Sequence, residues 1–168
     1  MERLILMRHG AAERRGPTGG DFDRALTAQG RIDAALIGDA LAKAGFAPDL
    51  ALVSEARRAQ DTWTAAGESF PKARKESRED FYSASTQTVL TAVEGETAGT
   101  VMVVGHNPTL QDLAVGLLKA SGASPALIAR LEMRFPPATA AAFSFDAAGR
   151  AELEGLFYAA DHGGRGAE

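Results

Sequence analysis

The chain has 168 residues, 45% hydrophobic and 24% charged, with a formal net charge of −4 and no cysteine. That length supports one domain with a full core rather than two, and the acidic balance argues against a non-specific nucleic-acid binder, whose surface is normally basic. The missing cysteine removes disulfides, thiol nucleophiles and zinc–thiolate sites. The apolar run near Met1 is too short for a signal peptide, and no stretch reaches the ~20 apolar residues of a membrane span. A cytoplasmic protein with neither a membrane nor a nucleic-acid partner is expected.

Leu4 to Met7 is a short continuous apolar run, which predicts a strand covered on both faces. Gly10 to Asp23, with Gly16-Pro17-Thr18-Gly19-Gly20, reads as a polar glycine-rich loop. Thr27 is expected to N-cap a helix, with Leu26 stapled against Arg31-Ile32. Its apolar stripe would run through Ile32, Ala35, Leu36, Ala40 and Leu41 and end near Gly45. Leu50 to Val53 is a second strand, and Ser54 is expected to N-cap a helix carrying Ala59, Thr62, Trp63 and Ala66. The charged stretch Pro71 to Asp80 leaves room for a short edge strand. Val89 to Val93 lies in a further helix.

Thr100 to Val104 is the third buried strand. Asn107 then reads as an N-cap, with Pro108 at the first helical position and the helix continuing through Leu110, Leu113, Leu117 and Leu118. Pro125 to Met133 predicts a short helix. Thr139 to Phe145 and Ala151 to Tyr158 are β-like runs joined by a turn at Asp146-Ala147-Ala148-Gly149. Strands alternating with helices predict an α/β domain over residues 1–160: three α/β/α layers, a mostly parallel central sheet and an antiparallel C-terminal hairpin. The glycine-rich tail, 161–168, is expected to be disordered.

Three β-to-α transitions carry basic or nucleophilic groups: Arg8-His9, Ser54 to Arg58, and His106-Asn107. The chain has three histidines, and two of them stand where a strand breaks into a polar turn. In an α/β sheet that edge binds ligands. If the strands are parallel neighbours, arginine, imidazole and backbone N–H groups meet there, a set suited to phosphate. An unprotonated imidazole can attack phosphorus while guanidiniums neutralise the oxygens.

The blocks Leu6-Met7-Arg8-His9-Gly10, Ser54-Glu55-Ala56-Arg57-Arg58-Ala59-Gln60-Asp61-Thr62 and Val104-Gly105-His106-Asn107-Pro108 resemble the histidine phosphatase superfamily, which includes the phosphoglycerate mutases. Asp23-Arg24-Ala25-Leu26-Thr27-Ala28-Gln29-Gly30 resembles the short, SixA-type branch known for phosphohistidine phosphatases. The resemblance implies a phosphoglycerate mutase-like fold and a hydrolase; arginine and imidazole can neutralise the charge and no carboxylates or histidines cluster at ligand spacing, so no cofactor or metal is expected. The resemblance also implies that His9 is the nucleophile that becomes phosphorylated, that Arg8 and Arg58 hold the phosphoryl oxygens, and that His106 binds phosphate and stabilises the transition state. Gly10 and Asn107, beside the two histidines, complete the expected phosphate-binding set. Glu55 is a departure, standing where the family often has proline.

A general acid is harder to place. Glu79 and Asp80, in Arg78-Glu79-Asp80-Phe81-Tyr82, are the nearest candidates by position, and neither aligns with the glutamate that many phosphomonoesterases of the superfamily use. That gap favours a phosphoramidate substrate, phosphohistidine on a protein, over a small phosphomonoester. A silent phosphate-binding module is the third reading, and the presence of both histidines and Arg58 speaks against it. His162 is assigned no role. Glu13, Arg14 and Arg15 read as a solvated loop near the site, Trp63 as packed core, and Asp23 with Arg24 as an ion pair.

Overall fold

The computed structural model describes residues 1–167. Over those residues the chain forms strands β1 (Arg3–Arg8), β2 (Leu50–Ser54), β3 (Arg74–Arg78), β4 (Thr100–Gly105), β5 (Ala140–Phe145) and β6 (Ala151–Phe157). Interleaved with them are helices α1 (Ala28–Lys43), α2 (Arg57–Ala66), α3 (Thr86–Glu94), α4 (Thr109–Ala120) and α5 (Pro125–Met133). The strands make one sheet in the order β3-β2-β4-β1-β5-β6. The first four pair in parallel, and β5 and β6 close the far edge antiparallel.

The central strands are apolar throughout because both their faces are covered. Leu4, Leu6, Leu50, Leu52, Val101 and Val103 pack with Val89 and Val93 of α3, Leu110 and Leu113 of α4 and Leu131 of α5. Ile5, Met7, Ala51, Val53, Met102 and Val104 alternate onto the opposite face, against Ala34, Ile37 and Leu41 of α1 and Ala59 and Ala66 of α2. The result is a three-layer α/β/α sandwich. β3 is the edge strand of the charged stretch, and its Arg74, Lys75 and Glu76 blunt the open side. No helix among the described residues is long and apolar enough to cross a membrane.

Helix α1 departs from the expected stripe. Ile32 is 52% exposed and Ala35 is also exposed, so no staple forms at Ile32; the buried face is Gly30, Asp33, Ala34, Ile37, Gly38, Ala40 and Leu41. The phase is set by close backbone approach rather than by apolar bulk. A Cβ on Gly38 would stand 2.4 Å from the Ala66 carbonyl oxygen of α2, so the two helices touch where α1 has no side chain. Thr27 does cap this helix, accepting from Gly30 N–H at 2.9 Å.

Two other caps differ from expectation. α2 starts at Arg57 after Ala56, so Ser54 is the last residue of β2 and not a cap. α4 starts at Thr109 with Pro108 in the cap position, and Asn107 Oδ1 accepts the Gln111 N–H at 3.3 Å from one residue further out. The tail read as disordered is placed as far as residue 167. Asp33, fully buried, accepts the N–H groups of Arg165 at 3.0 Å and Gly166 at 2.8 Å, and a carboxylate removed from water needs such donors. Glu168 lies outside the described residues.

Candidate active site

The parallel neighbours β2, β4 and β1 end at Ser54, Gly105 and Arg8, so the residues after them leave the sheet at one edge. His9 is fixed there by its backbone. Its N–H donates to the Gly105 carbonyl and its carbonyl accepts from Ala138 N–H, each at 3.0 Å, while Arg8 N–H donates to Thr139 at 3.0 Å. Thr62 ties the turn to α2: its Oγ1 accepts Gly10 N–H at 3.0 Å and donates to the Arg58 carbonyl at 2.6 Å. Gly10 has no space for a side chain, since a Cβ would lie 2.6 Å from the Gly30 carbonyl oxygen.

The rings of His9 and His106 are 5.3 Å apart between centroids and inclined at 58°. His9 Nδ1 is 2.7 Å from the Gly10 carbonyl oxygen. A carbonyl only accepts, so Nδ1 carries the proton and Nε2 of the neutral ring presents a lone pair. Burial lowers the His9 pKa to about 3 against the opposing Gly10 bond, helped by the nearby charges of His106, Arg58 and Arg8. His106 is also lowered, to about 4, by burial first and then by Arg58. Its Nε2 lies 2.8 Å from Ser54 Oγ, which also accepts the Ala56 N–H at 3.3 Å.

Both arginines act electrostatically on both rings. Arg58 is 7% exposed; its Nη1 donates to the Asp21 carbonyl at 2.9 Å and its Nη2 to Asp21 Oδ2 at 3.1 Å. Arg8 Nη1 donates to the Phe135 carbonyl at 3.1 Å, which also receives Asn107 Nδ2 at 3.0 Å. The structure therefore brings Arg8, His9, Gly10, Arg58 and His106 to one edge. Asn107 stands at the same edge, its side chain bonded to the Phe135 carbonyl that Arg8 also reaches and to Gln111.

Glu79 and Asp80 stand just beyond the end of β3, next to the end of β2, where Glu55 N–H donates to the Arg78 carbonyl at 3.2 Å. They line a surface recess with Glu55, Ser77 and Arg78, and Asp80 is held by Arg78 through bonds of 2.9 and 2.8 Å. Tyr82, one residue past Phe81, reaches the histidines, its ring meeting His106 edge-on at 5.9 Å. Its hydroxyl donates to Asp21 Oδ2 at 2.5 Å. Asp21, which the sequence reading passed over, joins Tyr82, Arg24 and Arg58, and these partners hold its carboxyl well below the usual range, the Tyr82 bond foremost. Burial and that bond push the Tyr82 phenol upward, the bond counting most.

The expected Asp23–Arg24 pair is not made. Arg24 pairs with Asp21 at 2.9 Å, and Asp23 accepts from Thr18 Oγ1 at 2.7 Å. In Asp21-Phe22-Asp23-Arg24 either carboxylate could have been chosen, and local sequence does not distinguish them. Thr62 was more legible, being one helical turn after Arg58 on the same face of α2. His162 stacks on Phe157 at 6.0 Å, away from these groups. Among the described residues no three histidine or carboxylate side chains cluster as a metal site.

The sequence model of the histidine phosphatase superfamily (branch 1) matches residues 4–72. An uncharacterized protein of Mycobacterium tuberculosis is 36% identical over 118 residues, covering 69% of this chain and 73% of that protein. A candidate phosphohistidine phosphatase SixA of Agrobacterium tumefaciens superposes with a TM-score of 0.82 at 29% identity, over 93% of this chain and 97% of that one. A candidate SixA of Nakamurella multipartitia does so with a TM-score of 0.79 at 30% identity, over 94% and 95%.

Proposed function

This chain belongs to the histidine phosphatase superfamily, in its SixA-type branch, and on that premise we propose that it is a phosphatase that removes phosphoryl groups from histidine on a protein, through a phosphohistidine intermediate at His9. The observation that carries the reading is the state of His9. Its ring is neutral, its tautomer is fixed by the Gly10 carbonyl, and Nε2 is the nitrogen left to attack.

In the first step His9 Nε2 forms a bond to phosphorus as the bond to the substrate nitrogen breaks, and that nitrogen is protonated from solvent. In the second, water attacks phosphorus, the bond to His9 breaks, and inorganic phosphate leaves. Asp21 takes two N–H bonds of Arg58, and three remain for phosphoryl oxygens. Arg8 supplies the other stabilising charge and His106, a neutral ring, an N–H donor, so the reading is metal-independent.

The leaving group is the point on which substrates divide. The carboxylate bonded into the site, Asp21, is kept ionised by Tyr82, Arg24 and Arg58, and an ionised group has no proton to give. An alkoxide, whose conjugate acid has a pKa near ~15, needs an enzymatic acid, whose contribution is typically ~10²–10⁴-fold. A nitrogen leaving group needs much less. Phosphohistidine protein should therefore turn over faster than alkyl phosphates by a comparable factor. Equal rates on alkyl phosphates, lost selectively in Glu79→Gln, Asp80→Asn or Asp21→Asn, would replace this reading with that of a small-metabolite phosphatase.

A further inference from the structure

The loop that leaves His9 has a second side. Ala12, Glu13, Arg14, Arg15, Gly16, Pro17, Ala25, Thr27 and Arg57 line a recess of about 810 Å³. Ala12 is three residues beyond His9, Arg57 directly precedes Arg58, and Arg57 N–H donates to the Phe22 carbonyl at 3.0 Å. The recess and the catalytic residues therefore share one segment, the chain between His9 and Thr27, whose Asp21 binds Arg58. That segment is shaped by the antiparallel bridge of Ala12 with Leu26 and by Glu13 N–H donating to Ala25 at 2.8 Å.

Its charge has no internal account. Arg14 and Arg15 are exposed, and neither has an ion pair or hydrogen bond among the described residues. Arg57 is 3.9 Å from Asp61 Oδ2, but that oxygen already binds Arg31 at 3.0 Å and the Leu26 N–H at 3.1 Å. Three guanidiniums thus face one carboxylate, Glu13, on a chain whose net charge is −4. Adjacent like charges repel, and a surface that only needed solubility would gain nothing by collecting them.

We propose that this recess docks an acidic segment of the phosphorylated protein, alongside the phosphohistidine held at the catalytic pocket. The inference rests on the protein-phosphohistidine reading above. Guanidinium groups match carboxylates in paired N–H···O bonds and hold them more specifically than ammonium groups would. A net charge of −4 is not the strongly basic balance of a nucleic-acid binder.

The test uses two peptides carrying phosphohistidine, one flanked by glutamates and one by glutamines, with the full chain and its Arg14→Glu/Arg15→Glu variant. At low salt the wild type should favour the glutamate peptide about tenfold, through KM with kcat unchanged. The variant should lose that preference and keep its rate on a small phosphoramidate. Salt should erase the preference as screening shortens to below ~10 Å. Equal KM for both peptides, or a preference that survives in the variant, overturns the proposal.

Failure to hydrolyse either peptide would refute the phosphohistidine reading, and direct binding then decides the docking site separately. Labelled oligoglutamate bound by the wild type and released in the double variant upholds it. No binding, or tighter binding of an oligonucleotide of equal charge, overturns it.

Discussion

Lowering the pH from about 8 to about 5 should destabilise this protein through its two site histidines, by an amount the structure sets. An unfolded histidine titrates near ~6.5, whereas His9 is lowered to about 3 and His106 to about 4, in each case chiefly by burial. Between the unfolded and folded values the unfolded chain binds the extra proton, so stability falls as pH falls through that window. The contribution is fully present above ~6.5 and is lost progressively down to the folded pKa. At about pH 5 each unfolded imidazole has gained roughly 1.5 units of protonation drive, or about 2 kcal/mol. The pair together gives about 4 kcal/mol, a large share of a typical 5–15 kcal/mol stability.

Urea unfolding of the wild type and His9→Gln at both pH values measures this contribution. Carboxylate titration is common to both proteins and cancels. The variant should lose about 2 kcal/mol less than the wild type on acidification. Identical losses in the two proteins would mean that His9 is not held neutral by the fold, and the argument for its nucleophilic state would go with it.

His9→Ala should abolish turnover while keeping the wild-type circular dichroism spectrum, and rapid quench of the wild type should trap an acid-labile, base-stable phosphoryl group; an active alanine variant refutes the assignment. Enzyme treated with chelator should keep its rate, and activity restored only by added metal would contradict the arginine-based account of charge neutralisation. Thr62→Val keeps the shape but leaves the buried Gly10 N–H without its acceptor, so it should cost about 1–3 kcal/mol in denaturant midpoint analysis. It should also lower kcat by loosening His9 against Arg58, and a variant matching the wild type in both would show that the link is dispensable.

The sequence by itself determined the central strands, the points where they stop and one helix cap. Leu4–Met7, Leu50–Val53 and Thr100–Val104 are apolar at every position because both faces of a central strand must be covered. The Arg8-His9 and His106-Asn107 transitions mark where two of those strands stop, and Thr27 fits a helix cap by its own side chain. Tertiary structure decided the rest. Gly38 of α1 faces α2 because that contact rewards the absence of a side chain, which no hydrophobic periodicity records. Ser54 left its expected cap for His106, 52 residues away. Asp21 and not Asp23 holds Arg58 and Tyr82, across separations of 37 and 61 residues. Such pairings are chosen by the geometry of the closed sheet edge, where a carboxylate two residues nearer in sequence points elsewhere in space.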